Sequence, residues 1–336
     1  MLDESASEEA ESGTSHLSGT TTASLGRAAA RSSWLRQLLP LLLLVAIFIA
    51  AGLGVLLIRW GANDTPPSRM FATTNQFDEW SAIVAGVLGL CVAVAGATWP
   101  SFLRVARAAG HIPVISAVSV YILISIAVVF GPFVVAHGNA SFELSHFYLR
   151  ISTLTVLILA AGAGSFCGLE LLWYRQSAQM NMGEGSPGQT VRSILSARKD
   201  LQRFFTGAAV LVTSGVVIIG GLRSALNADA LANSPSNIVS IPVGGLLLYG
   251  AFFAMLLGFV LIPAYIAWQT RISSFRDHLY PIPEDGDFSK EWYEKRSNLE
   301  DMLAMRLGLP GRFLATVGIL APLIGSIITA VIPTLR

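Results

Sequence analysis

The stretch Ile241–Thr270, IPVGGLLLYGAFFAMLLGFVLIPAYIAWQT, runs for thirty residues without a single charge. The hydrocarbon core of a bilayer is about 30 Å thick, and about 20 helical residues cross it. Lipid offers backbone N–H and C=O groups no water to bond. A segment of this kind must therefore satisfy its own hydrogen bonds as a helix. β-barrel strands would be shorter and would alternate apolar with polar residues, and this stretch does not alternate. Trp268 followed by Arg271 marks where it leaves the apolar layer.

Six further stretches read the same way: Gln37–Ile58, Ser81–Leu103, Ile112–Ala136, Ile151–Tyr174, Phe204–Leu222 and Phe313–Leu335. The expected fold is all-α, a polytopic membrane helix bundle with seven transmembrane helices. Composition agrees. The 336 residues are 53% hydrophobic and 13% charged, against about 25% charged in a soluble domain. The net charge of +1 gives nucleic acid no electrostatic foothold. The two cysteines, Cys91 and Cys167, both fall within apolar stretches and read as small packing residues rather than a disulfide or metal pair. Arginine outnumbers lysine 19 to 3, the bias of a GC-rich, bacterial coding sequence.

Orientation follows from the cations. With the N-terminus inside and the C-terminus outside, the inner segments hold 17 of the 22 Lys and Arg residues and the outer segments five. That asymmetry satisfies the positive-inside rule, and the expected location is the cytoplasmic membrane. Trp34, Trp60, Trp80, Trp99, Trp173 and Trp268 all fall at expected span ends, where indole rings favour the headgroup layer. The first span is longer than the apolar region of a cleaved signal and starts after a long polar tail, so it reads as a retained anchor.

Outside the membrane the chain offers little to bury. Residues 1–33 are Ser-, Thr-, Ala- and Glu-rich and are expected to be a disordered cytoplasmic tail preceding the domain 34–336. Two amphipathic helices are expected in the inner loops, near 189–203 and 287–307. In the first, Val191, Ile194, Leu195 and Leu201 share a face, with Arg198 intruding on it. Arg192, Lys199 and Arg203 line its edge as inner-leaflet lipid contacts, the helix lying on the leaflet before span five begins at Phe204. In the second, Asp287 is the expected N-cap, and Lys290/Glu294 and Glu291/Lys295 stand at i,i+4 spacing.

Chemistry is sparse. No hydrolase motif, intramembrane aspartate pair or phosphate-binding glycine loop is present, so no catalytic, cofactor or metal residues are assigned. His137, Glu143 and His146 share one outer loop but lack a fourth ligand. Glu170 is the one charge within a span and is a candidate functional residue on that ground. Pro263 and Pro322 each free a carbonyl four residues earlier, on Phe259 and Gly318, and with Ser326 mark spans six and seven as candidate site helices. Hydroxyls of Thr213 or Ser214 are the expected partners for the Gly318 carbonyl. Small residues at i,i+4 spacing (Ala85 and Gly89; Gly164 and Gly168; Gly250, Ala254 and Gly258) let helices approach closely, within the bundle or in a homo-oligomer. The expected role is non-enzymatic: a sensor, scaffold or assembly factor meeting lipid or a protein partner through its inner loops. The alternative is a small-molecule or lipid transporter or channel built around the kinked spans six and seven.

Overall fold

The computed structural model describes residues 40–60, 72–136, 145–179, 186–233, 243–283, 289–303 and 318–328. Among them the regular structure is helical throughout, with no strand. In chain order the helices are α1 (Pro40–Trp60), α2 (Asn75–Ala109), α3 (His111–Ala136), α4 (Ser145–Ala178), α5 (Pro187–Asn233), α6 (Val243–Leu279), α7 (Lys290–Met302) and α8 (Gly318–Ile328). Stretches of five of them, α1, α2, α4, α5 and α6, are long and apolar enough to cross a membrane. The apolar stretches His111–Ile126 of α3 and Gly318–Ile328 of α8 are shorter. Several expectations fall outside the described residues: the tail 1–33, His137, Glu143, the cap at Asp287, and the segment 304–317 that leads into α8.

The chain divides into two compact units, Met1–Ala46 and Ile47–Arg336, the boundary falling inside α1. In the second unit, α2 packs on α4 and α5, α6 packs on α4 and α5, and α3 leans mainly on α4. Local chemistry sets the helix ends. The Thr74 hydroxyl accepts the Phe77 N–H at 3.2 Å and opens α2. Gly110, at φ 85°, closes it by donating its N–H to the Ala106 carbonyl, and α3 starts at the next residue. So abrupt a reversal needs a left-handed residue, and glycine takes that conformation without a Cβ clash.

The clearest departure from expectation is α5. It runs for 47 residues without a break, about 70 Å at 1.5 Å per residue. The loop helix expected near 189–203 is therefore not separate from span five. Its apolar face is not spread on a leaflet either. Ile194, Ala197, Leu201 and Phe204 are buried in a core shared with Phe102 and Val105 of α2, Leu169 and Leu172 of α4, and Trp268 and Ile272 of α6. Helices α2, α4, α5 and α6 meet in this core, and each covers the others' apolar faces.

Tryptophans pin α5 at two levels. Trp80 of α2 donates its indole N–H to the Ile218 carbonyl at 3.1 Å, and Trp268 of α6 donates to the Ile194 carbonyl at 3.4 Å. Each uses the second lone pair of a helical carbonyl. The two acceptors are about 36 Å apart along α5, close to the thickness of a bilayer core. Both rings are buried among the helices, whereas Trp60, Trp99 and Trp173 are exposed.

Close approaches take up most of the small-residue faces. A Cβ on Gly168 would stand 2.7 Å from the Phe204 ring of α5, and one on Gly250 would stand 2.5 Å from the Ser326 hydroxyl of α8. Gly89 faces Ile47 of α1 in the same way. Gly258 meets only Ile262 of its own helix.

Candidate functional site

The end of the bundle where α2, α4 and α6 finish and α5 begins gathers the polar chemistry. Arg271, nine-tenths buried, donates to the Gln176 side-chain oxygen at 2.8 Å and to the Ser193 hydroxyl at 3.1 Å. One guanidinium thus ties α6 to α4 and α5. An arginine is suited to this because its planar fork presents several N–H donors in fixed directions. Neither Arg271 nor Gln176 is a candidate by sequence. Both follow a span-end tryptophan by three residues, Trp268 and Trp173, and that position is the one signal that sets them apart.

Beside this tie, Ser101 of α2 is fully buried and accepts from two arginines, Arg203 of α5 at 3.1 Å and Arg104 of its own helix at 3.5 Å. Arg104 also pairs with the buried Asp200 at 3.5 Å. Arg104, Arg192, Lys199 and Arg203 converge on a pocket of about 420 Å³ with Asp200 as its one acid. The structure thus brings the three expected lipid-contact residues Arg192, Lys199 and Arg203 together and adds Arg104 and Asp200.

The helix expected over 287–307 appears as α7, Lys290–Met302, and its cap is Ser289, whose hydroxyl accepts the Trp292 N–H at 3.2 Å. Both expected i,i+4 pairs form, Lys295–Glu291 at 2.6 Å and Lys290–Glu294 at 3.8 Å. The Lys295 ammonium holds the Glu291 carboxyl below the usual glutamate range through that hydrogen bond and its charge. The helix is tied back to the end of α6. Arg296 bonds Asp277 at 2.7 Å and the Tyr280 carbonyl at 2.8 Å, and Arg276 bonds Glu300 at 3.0 Å. Arg296 also stands 5.1 Å over the Trp292 ring. Leu299 and Leu303 complete the attachment by entering the core at this end.

Within the apolar layer, a cavity of about 120 Å³ lies among α3, α4, α5 and α6. Tyr121, Gly162, Phe166, Gly215, Tyr249 and Phe253 are among its walls, and Glu170 lines it. Its walls are mostly hydrocarbon, with Thr155, Tyr121 and Tyr249 adding hydroxyls, and Tyr121 directs its hydroxyl to the Leu159 carbonyl. The cavity gives Glu170 an address that the sequence did not supply.

The other candidates are packed rather than gathered around a cavity. Ser326 is fully buried against Gly250 and donates to the Leu323 carbonyl at 2.7 Å. A Cβ on Gly318 would stand 2.5 Å from the Phe205 ring. Ser214 donates to Val210 of its own helix, and the Thr213 hydroxyl has no partner among the described residues. The helix of α6 continues past Pro263 to Leu279. Pro100 lies inside α2 in the same fashion.

No family model, no curated protein and no solved structure matches this chain.

Proposed function

We propose that the protein is a non-enzymatic multi-pass protein of a bacterial cytoplasmic membrane. In this reading it has seven spans, an inside N-terminus and an outside C-terminus, and it acts as a sensor, scaffold or assembly factor through its inner face. One observation supports the reading: arginine-centred hydrogen bonds join four helices at the basic end. Arg271, Arg276 and Arg296 lock α4, α5, α6 and α7 together there. A platform held this firmly presents a fixed surface, and fixed surfaces lose little entropy on binding a partner. Tyr293 and Met302 are exposed on α7 and offer the aromatic and thioether contacts that protein interfaces favour.

Photo-crosslinking in native membranes tests this. A photoreactive residue at Tyr293 or Met302 should give one recurrent protein adduct, absent from the lipid-facing control Phe259. Reversing the charges of Lys290 and Lys295 should weaken that adduct. Lipid adducts alone at all three positions would overturn the reading.

A second reading is a carrier or channel for a lipid or other apolar small molecule. It is supported less by Pro263 and Pro322 than by the cavity that Glu170 lines. A Cβ on Gly215 would meet nothing within 4 Å, so Gly215→Leu can fill this cavity without a clash at its base. Loss of flux in that variant, with α7 adducts unchanged, would favour the carrier.

A further inference from the structure

Four cations and one acid line this pocket, a net positive charge that an anion would complement. Arg104 and Arg203 are drawn together through the same serine hydroxyl, and Arg192 and Lys199 stand on the neighbouring turns of α5. Of these four, only Arg104 has a carboxylate partner among the described residues, and that partner is Asp200. A phosphate complements several cations at once and matches the fork of a guanidinium.

A second feature meets this pocket at Arg203. A groove of about 400 Å³ runs between α2 and α5, floored by Ala93, Ala97, Thr98, Thr206, Gly207 and Val210, with Gln202 and Arg203 at its end. It is almost wholly apolar, and from Arg203 to Val210 it extends about 10 Å along α5. Small residues create it: Ala93 and Ala97 lie one turn apart on α2, where larger side chains would close the gap. The exposed indole of Trp99 stands five residues before Arg104 and places the basic pocket at headgroup level, with the groove leading away into hydrocarbon. A charged pocket at headgroup depth that opens into an apolar groove has the polarity profile of one amphiphile.

We propose that α2 and α5 form a specific site for an anionic phospholipid, its phosphate held by Arg104, Arg192, Lys199 and Arg203 and one acyl chain lying in the Ala93–Ala97–Val210 groove. Asp200 is a positioning residue: it aims Arg104 and offsets part of the pocket's positive charge. The site does not depend on the platform reading, which concerns α7.

Native mass spectrometry of the full chain, delipidated and then titrated with phosphatidylglycerol or phosphatidylcholine, reads the site directly. Phosphatidylglycerol should be retained roughly tenfold more strongly. The double variant Arg192→Gln/Lys199→Gln should erase that preference. Both side chains are exposed, so the fold should survive, as circular dichroism and an unchanged melting temperature would show. Ala97→Phe fills the groove without touching a charge, and it too should cut phosphatidylglycerol retention several-fold. Equal retention of the two lipids would overturn the proposal. So would an unchanged Ala97→Phe variant in which inorganic phosphate displaces the bound lipid, because that outcome describes a free-anion site.

Discussion

The two ends of the bundle are held by different chemistry. At the Trp80 end the contacts are mainly apolar: Phe77, Trp80, Val84 and Leu88 of α2 pack with Ile58 of α1 and Ile218 and Leu222 of α5, with Ser81 and Arg223 buried beside them. The ion pair there, Arg59–Asp78 at 2.7 Å, is exposed on both sides and contributes little. At the Trp268 end the apolar core is laced with buried polar groups, among them Gln176, Asp200 and Arg271. An apolar end needs only volume and shape. A polar end works only if each partner is present, and removing one strands the other. Evolution of sequence at the two ends should therefore be constrained differently, and the comparison can be broken by experiment.

The largest effect is expected at the apolar end. Trp80→Ala removes a fully buried ring and its bond to Ile218 and should cost about 3–5 kcal/mol, read as a fall in melting temperature in detergent. Trp80→Phe keeps most of the volume and should cost about 1 kcal/mol. Near-equal losses in the two variants would mean the hydrogen bond, not the packing, dominates at this end.

A smaller effect with the opposite pattern is expected at the polar end. Arg271→Met preserves much of the stem but strands the buried Gln176 oxygen and should cost about 1–3 kcal/mol. Adding Gln176→Leu to it should recover part of that loss, because an apolar pair leaves nothing unsatisfied. Additive losses in the double variant would refute the coupling, and a thermal-unfolding double-mutant cycle decides between them.

The smallest effect concerns α7. Its Glu291 carboxyl is held below the ordinary range by Lys295, so the pair's contribution is present above the unfolded value of about 4.3 and fades as pH falls through the lower folded value. Protease protection of α7 should stay constant near neutrality and decline only in acid, and Lys295→Gln should flatten that decline.

Much of this architecture was legible in the sequence. The apolar runs marked the helices, because lipid exposure and backbone satisfaction leave few alternatives to a helix. The i,i+4 pairs of α7 were legible for the same local reason. The continuity of α5 was not. Arg192, Arg198, Lys199 and Arg203 end the apolar run at Phe204, but charge reports which solvent a residue meets, not where a helix stops. Nor could the sequence tell which tryptophans face inward. Trp80 and Trp99 both sit near span ends; one bonds a carbonyl of α5 and the other is exposed, and the difference depends on which face of α2 meets α5. The convergence of Arg104 with Asp200, 96 positions apart, and the cavity beside Glu170 are tertiary facts with no local signature.

The most direct test of the account is which side of the membrane each end occupies. Cys91 and Cys167 are both buried, so single introduced cysteines can be read against a low background. Gln76→Cys, at the Trp80 end, should react with a membrane-impermeant thiol reagent in intact cells. Ser196→Cys and Tyr293→Cys, at the basic end, should react only after the membrane is opened. Labelling of Ser196→Cys or Tyr293→Cys in intact cells would contradict the account at its base.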